Sequence, residues 1–127
     1  MIEVLSKKYY LIHAIYQWCI DSGLSPCILV LFDHNVSVPL KFVDEDNCIL
    51  LDISPDCVRD FTFVKESISF YAVFDDVEQQ VFIPVGNVLE IYAAENEEGM
   101  QFAFEKSNFS KQTNSYSSRK SRLRVVK

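Results

Sequence analysis

The chain has 127 residues, enough for one domain with a real core and too few for two once a tail is subtracted. Hydrophobic residues make up 49%, with ten Phe and six Tyr, which excludes a chain that is disordered throughout. The net charge of −6 hides a split: residues 1–105 carry eighteen acids against five basic residues, leaving −13, so this body repels phosphate backbones; residues 106–127 carry seven bases and no acid, and only they are eligible for nucleic acid.

The first predicted element is a helix, opened by Ser6 as N-cap and closed by Gly23, with Pro26 shortly after. Leu11, Ala14, Ile15, Trp18 and Cys19 recur at three-and-four spacing, and Tyr9, Ile12, Tyr16 and Ile20 add a second apolar side. Such a helix either covers its own sheet on one side and meets a symmetry-related copy on the other, or is sunk in its own core.

From Cys27 to Pro84 the pattern turns to strands. Ile28 to Phe32 is a short apolar run, Val36, Val38, Leu40 and Phe42 alternate with polar or small partners, and Cys48 to Ile53 is apolar as far as Asp52. Ser54-Pro55 begins a single helical turn. Phe61–Val64, Ile68–Phe74 and Val81–Ile83 are three further strands, separated by polar turns such as Asp75-Asp76. Pro84 then introduces a second short helix with Val85, Val88, Leu89, Ile91 and Tyr92 on its apolar face, and Met100 to Phe104 adds a last strand. Short strands with short connections predict a mainly β fold with α: a small, bent antiparallel sheet or open barrel, an N-terminal helix and a disordered C-terminal tail.

After Phe104, Ser, Asn, Lys, Gln and Thr dominate up to Leu123. That composition buries too little surface to offset its ordering entropy, which predicts a flexible linker over residues 105–122 behind a domain of residues 1–104. The terminal Leu-Arg-Val-Val-Lys, residues 123–127, is apolar where a disordered tail is usually polar: a docking motif, or else a last strand pairing with the body.

Chemistry is sparse. Cys19, Cys27, Cys48 and Cys57 contain no CxxC or CxxH pair, so neither a metal site nor a cofactor is expected, and buried, reduced thiols are the plain reading. No signal peptide is legible, since Glu3, Lys7 and Lys8 interrupt any apolar run, and no stretch approaches the ~20 apolar residues that span a bilayer. That places the chain in the cytoplasm, without a membrane partner. His13 and His34 have no HExxH context, and GxSxG, Walker and GxGxxG motifs are absent. The acid runs Asp44-Glu45-Asp46 and Asp75-Asp76 lack EF-hand spacing. No enzyme is expected.

The segments YYLIHAIYQWCIDSGLSP (9–26), VSVPLKF (36–42), ILLDISP (49–55), FIPVGNVLEIYAAENEEGMQF (82–102) and LRVVK (123–127) together resemble, in order and with near-equal spacing, the stringent starvation protein B (SspB) family. The resemblance implies a bent antiparallel, Sm-like β-structure with helices, acting as an adaptor that binds ssrA-tagged polypeptides and tethers them to the ClpXP protease. It implies a homodimer packed through the N-terminal helix, with Leu11, Ala14, Ile15 and Trp18 at the interface, and docking of Leu123, Arg124, Val125, Val126 and Lys127 on the N-terminal domain of ClpX. By position, the tag-binding groove draws on Leu40, Phe42, Ile53, Ser54, Ala72, Val73 and Phe74, of which strand alternation must turn about half inward. The resemblance leads one to expect a basic residue where this chain has Val73, and a longer, more acidic linker than the short, basic one present. The rival reading is a small RNA-associated protein that uses its basic C-terminal arm.

Overall fold

A computed structural model describes residues 6–64 and 66–106 as one helix and two antiparallel sheets that do not close into a barrel. Helix α1 spans Lys7–Asp21. The Ser6 side chain accepts from the Tyr9 N–H at 3.4 Å, supplying one of the first-turn donors with a partner. At the other end Gly23, at φ 72°, lets the chain reverse, so that Leu24 N–H donates to Cys19 O (2.8 Å) and Gly23 N–H to Ile20 O (3.2 Å).

The strands in chain order are β1 Pro26–Leu31, β2 Cys48–Asp52, β3 Val58–Val64, β4 Ser67–Phe74, β5 Val77–Pro84, β6 Val88–Ala93 and β7 Gly99–Gln101. They form a four-stranded sheet in the order β2-β1-β6-β7 and a three-stranded sheet in the order β3-β4-β5. The inner faces meet in one core. Ile28, Val30, Ile49, Leu51 and Ile91 come from the first sheet, Ile68, Phe70, Val81 and Ile83 from the second, and Ile12 of α1 joins them. Each such side chain gains roughly 1.5–3 kcal/mol by leaving water, the driving force that holds the layers together. An aromatic seam ties α1 to β3: Tyr16 stacks on Phe61 at 4.5 Å, and His13 and Tyr9 meet Phe63 at 4.5 and 5.8 Å.

The hairpin β4–β5 turns on Asp75 and Asp76, both at positive φ (50° and 68°), between the paired residues Phe74 and Val77. Two left-handed residues in a two-residue loop match the right-handed twist of the flanking strands, and Asp tolerates that conformation.

Two elements differ from expectation. The helix predicted after Pro84 is a single 3-10 turn, Val85–Asn87, that carries the chain from one sheet to the other and leads into β6. A bulge opposite Leu29 and Val30 inserts Leu89 as an extra residue, so the buried side chains fall at Val88, Ile91 and Ala93. That three-residue step imitates a helical stripe. The strand predicted over residues 36–42 is one bridge, Ser37 with Phe82, followed by a 3-10 turn at Leu40–Phe42. Pro39, at φ −66° and without an N–H, ends the ladder there. The turn at Ser54-Pro55 forms as predicted, with Cys57 N–H donating to Ser54 O at 2.9 Å. β3 and β5 begin earlier than their apolar stretches indicate, since paired polar residues extend each of them.

The end of the described chain is anchored. Lys8, 3% exposed, donates to Gly86 O (3.0 Å) and Ala103 O (2.8 Å), its ammonium lying 5.4 Å from the Phe102 ring. Glu105 N–H donates to Gly86 O at 2.9 Å, so the body extends at least to this residue. A Cβ on Gly86 would overlap the Glu105 carbonyl, which is why this crossing needs glycine.

Candidate functional site

At the tip of the β4–β5 hairpin the apolar face of the sheet reaches solvent. β4 turns Ile68, Phe70, Ala72 and Phe74 toward the core, and the register places Gln79 and Val77 of β5 opposite Ala72 and Phe74 on the same face. The 3-10 turn at Leu40–Phe42 lies against this tip, with the Phe42 and Phe74 rings 5.4 Å apart and tilted by 42°. Leu40 is 66% exposed, Val77 55% and Phe42 38%. Three apolar side chains left wet beside the half-buried Phe74 and Ala72 form an apolar ledge, where isolated exposed residues would call for no explanation.

Of the seven predicted groove residues, Phe42 and Phe74 meet ring to ring, Ala72 lies on the same face of β4 as Phe74, and Leu40 belongs to the turn that carries Phe42. Ile53 is fully buried in the core. Ser54 is also buried, its hydroxyl donating to Asp52 Oδ1 at 2.5 Å and its N–H to the same oxygen at 3.0 Å. Val73, 63% exposed, stands on the opposite face of β4 beside its partner Glu78. On that face Arg59 lies over the Tyr71 ring at 4.5 Å and donates to both Glu78 oxygens, at 3.0 and 2.8 Å. This fork holds the Glu78 carboxyl below the ordinary carboxylate range. Val77 of the ledge and Val58, paired with Ala72, escaped the sequence reading. Pairing outward from the two-residue Asp75-Asp76 turn would have placed Val77 opposite Phe74.

The rim of the ledge is acidic. Asp75 and Asp76 form the hairpin turn, and Lys41 of the overlying turn is ion-paired with Asp75, its ammonium 5.7 Å from the Phe42 ring. Both partners are well exposed, so this pair orders the rim more than it stabilises the fold.

On α1, Leu11, Ala14, Ile15 and Trp18 form one stripe at helical spacing. Ala14 and Trp18 are exposed and Leu11 is half-buried, whereas Ile15 packs against the core. Leu123, Arg124, Val125, Val126 and Lys127 lie outside the described residues. Cys19, Cys27 and Cys48 are buried, and Cys57 is exposed at the Ser54-Pro55 turn. Burial, with Asp52 and Glu95 nearby, pushes the Cys27 thiol up to about 11, leaving it protonated and unreactive at neutral pH. Among the described residues no three His, Cys, Asp or Glu side chains gather as metal ligands, and no helix is long and apolar enough to cross a membrane.

These features define a two-sheet, open antiparallel β domain with one N-terminal helix and an exposed apolar ledge at the tip of its β4–β5 hairpin. The chain belongs to the stringent starvation protein B family: the family's profile matches residues 6–125. It is 34% identical, over 97 residues, to the stringent starvation protein B homolog of Haemophilus influenzae. That match covers 76% of this chain but only 64% of the relative's length.

Proposed function

We propose that this protein is a non-enzymatic adaptor that holds ssrA-tagged polypeptides on the ledge formed by Leu40, Phe42, Ala72, Phe74 and Val77 and tethers them to the ClpXP protease. The observation that carries the reading is the contact of the exposed Phe42 with Phe74 at the hairpin tip, with Leu40 left wet in the same turn. An extended peptide needs apolar side chains to dock alternate residues and room for its backbone, and small Ala72 leaves that room. The stripe of exposed Ala14 and Trp18 and half-buried Leu11, with Ile15 beneath, supports a homodimer packed helix to helix. Residues 123–127 dock on the N-terminal domain of ClpX, and the adaptor works in the cytoplasm.

The sixteen residues from 107 to 122 act as the tether. A flexible chain of that length spans about 22 Å on average, and about 55 Å when stretched. Tethers of this size give effective concentrations on the order of millimolar, enough to hand over a weakly held client. Two tails per dimer add avidity.

Fluorescence anisotropy of a labelled ssrA peptide against the full chain tests the reading. Saturable binding that an untagged peptide of equal length does not displace is expected, and it should not weaken steeply with salt, because apolar burial dominates. A steep loss of affinity with salt would point to the basic arm instead; no binding at all would end the proposal. Leu40→Asp should weaken binding about tenfold to thirtyfold, the effect of removing one exposed apolar contact and introducing a charge. Its unfolding midpoint should stay near that of the wild type, since Leu40 lies mostly in solvent.

A further inference from the structure

We propose that the ledge has an internal occupant: residues 121–127 of the same chain, Ser-Arg-Leu-Arg-Val-Val-Lys, rest on it when no client is bound. This inference builds on the ledge being the peptide site. The ledge is apolar at its floor and acidic at its rim, with Asp75 already holding Lys41, the neighbouring cation. The segment is the complement. In an extended chain Leu123 and Val125 fall on one face and Arg124 on the other, so two apolar side chains can meet Phe42, Phe74 and Val77 while Arg124 turns to Asp75 and Asp76.

Charge selects this occupant over others of similar hydrophobicity. Residues 1–105 carry −13, while Lys111, Arg119, Lys120, Arg122, Arg124 and Lys127 follow the described body with no intervening acid. Reach is ample. The sixteen residues 107–122 separate Lys106 from Leu123, a stretched length of about 55 Å, against a radius of gyration of about 13 Å for a body of this size.

Residues 123–127 of this segment then have two destinations, the ledge and the docking partner. A client must displace the segment, and docking of the segment elsewhere vacates the ledge, so partner binding and client binding strengthen each other by the same factor. With an effective concentration near millimolar and an intrinsic affinity of the segment in the same range, client affinity is masked by about twofold to tenfold.

The test uses the full chain and its double variant Leu123→Asp with Val125→Asp. The variant should bind the labelled ssrA peptide twofold to tenfold tighter at low salt, the gap narrowing as salt screens the rim. Equal affinities would overturn the proposal. Independently of any client, a synthetic peptide of residues 121–127 added to the double variant should shift the NMR signals of Leu40, Phe74 and Val77. The absence of such shifts would overturn the proposal even where the client peptide binds neither chain, an outcome that by itself would count against the adaptor reading. The difference between wild type and variant should not change from low to high micromolar protein; growth with concentration would mean that the segment occupies a second copy, which also overturns an occupant in cis.

Discussion

If the proposed adaptor reading holds, a chain lacking residues 123–127 is expected to lose stimulation of ClpXP degradation of an ssrA-tagged substrate entirely, while binding the isolated tag at least as tightly as before. On the proposed reading the two activities separate because they are assigned to different parts of the chain. The ledge is built from β4, β5 and the Leu40–Phe42 turn, all within the described body. Delivery requires the tether, since a client held on an untethered body meets the unfoldase only by diffusion and gains none of the millimolar local concentration. Degradation rate and tag anisotropy, measured on the same preparation, check both halves. Loss of tag affinity in parallel with delivery would mean that the removed residues belong to the fold, and the division between body and arm would fall.

The second large effect concerns stability. Burial brings the Lys8 ammonium down to about 8 from its ordinary 10.5, with Glu105 opposing the shift. Below about pH 8 the lysine is charged in both folded and unfolded states, and the full cost of burying that charge is present. Between about 8 and 10.5 the folded protein has released the proton that the unfolded chain still holds, so this group makes stability rise with pH. The relief is on the order of 2 kcal/mol once solvent screening is allowed for. Buried thiols and phenols such as Cys27 and Tyr16, whose ionisation burial delays, act in the opposite sense over the alkaline range. The effect is therefore read as a difference: the unfolding free energy of the wild type minus that of Lys8→Met should climb by about that amount between pH 7 and 10.5 in urea titrations. A difference flat across this range would mean that Lys8 is not held between Gly86 and Ala103.

The aromatic seam explains why α1 was readable yet ambiguous. Its apolar residues cover most of the circumference, and periodicity alone assigns no side to the core. The structure places Ile12 and Cys19 inward, Tyr9 and Tyr16 against Phe61 and Phe63, and Trp18 outward. Periodicity likewise failed at β6, where one bulged residue turned a strand's two-step into the three-step of a helix. It failed again at residues 36–42, where alternation is genuine but Pro39 leaves the backbone only a single bridge.

The candidate ledge was legible in residue type and only partly in geometry. Phe42 and Phe74 could be named from the chain because large apolar residues flanking short strands must go somewhere. Whether Val73 or Val77 joined them depended on hairpin register, which puts Val77 beside Phe74 and sends Val73 to the far face with Arg59 and Glu78.

By itself the amino-acid order determined what is local or additive: the capped first helix, the two-residue Asp75-Asp76 reversal, a strand-rich body of strong negative charge and a basic arm ending in apolar residues. Which side chains share a face, where the sheets part, and why a lysine at position 8 lies buried against carbonyls some eighty and ninety-five positions later were decided only by tertiary structure. Capping, turn propensity and charge act over a few bonds or add up regardless of conformation, whereas burial and strand register are set by groups distant in the chain, and a single bulge or proline between them changes the outcome.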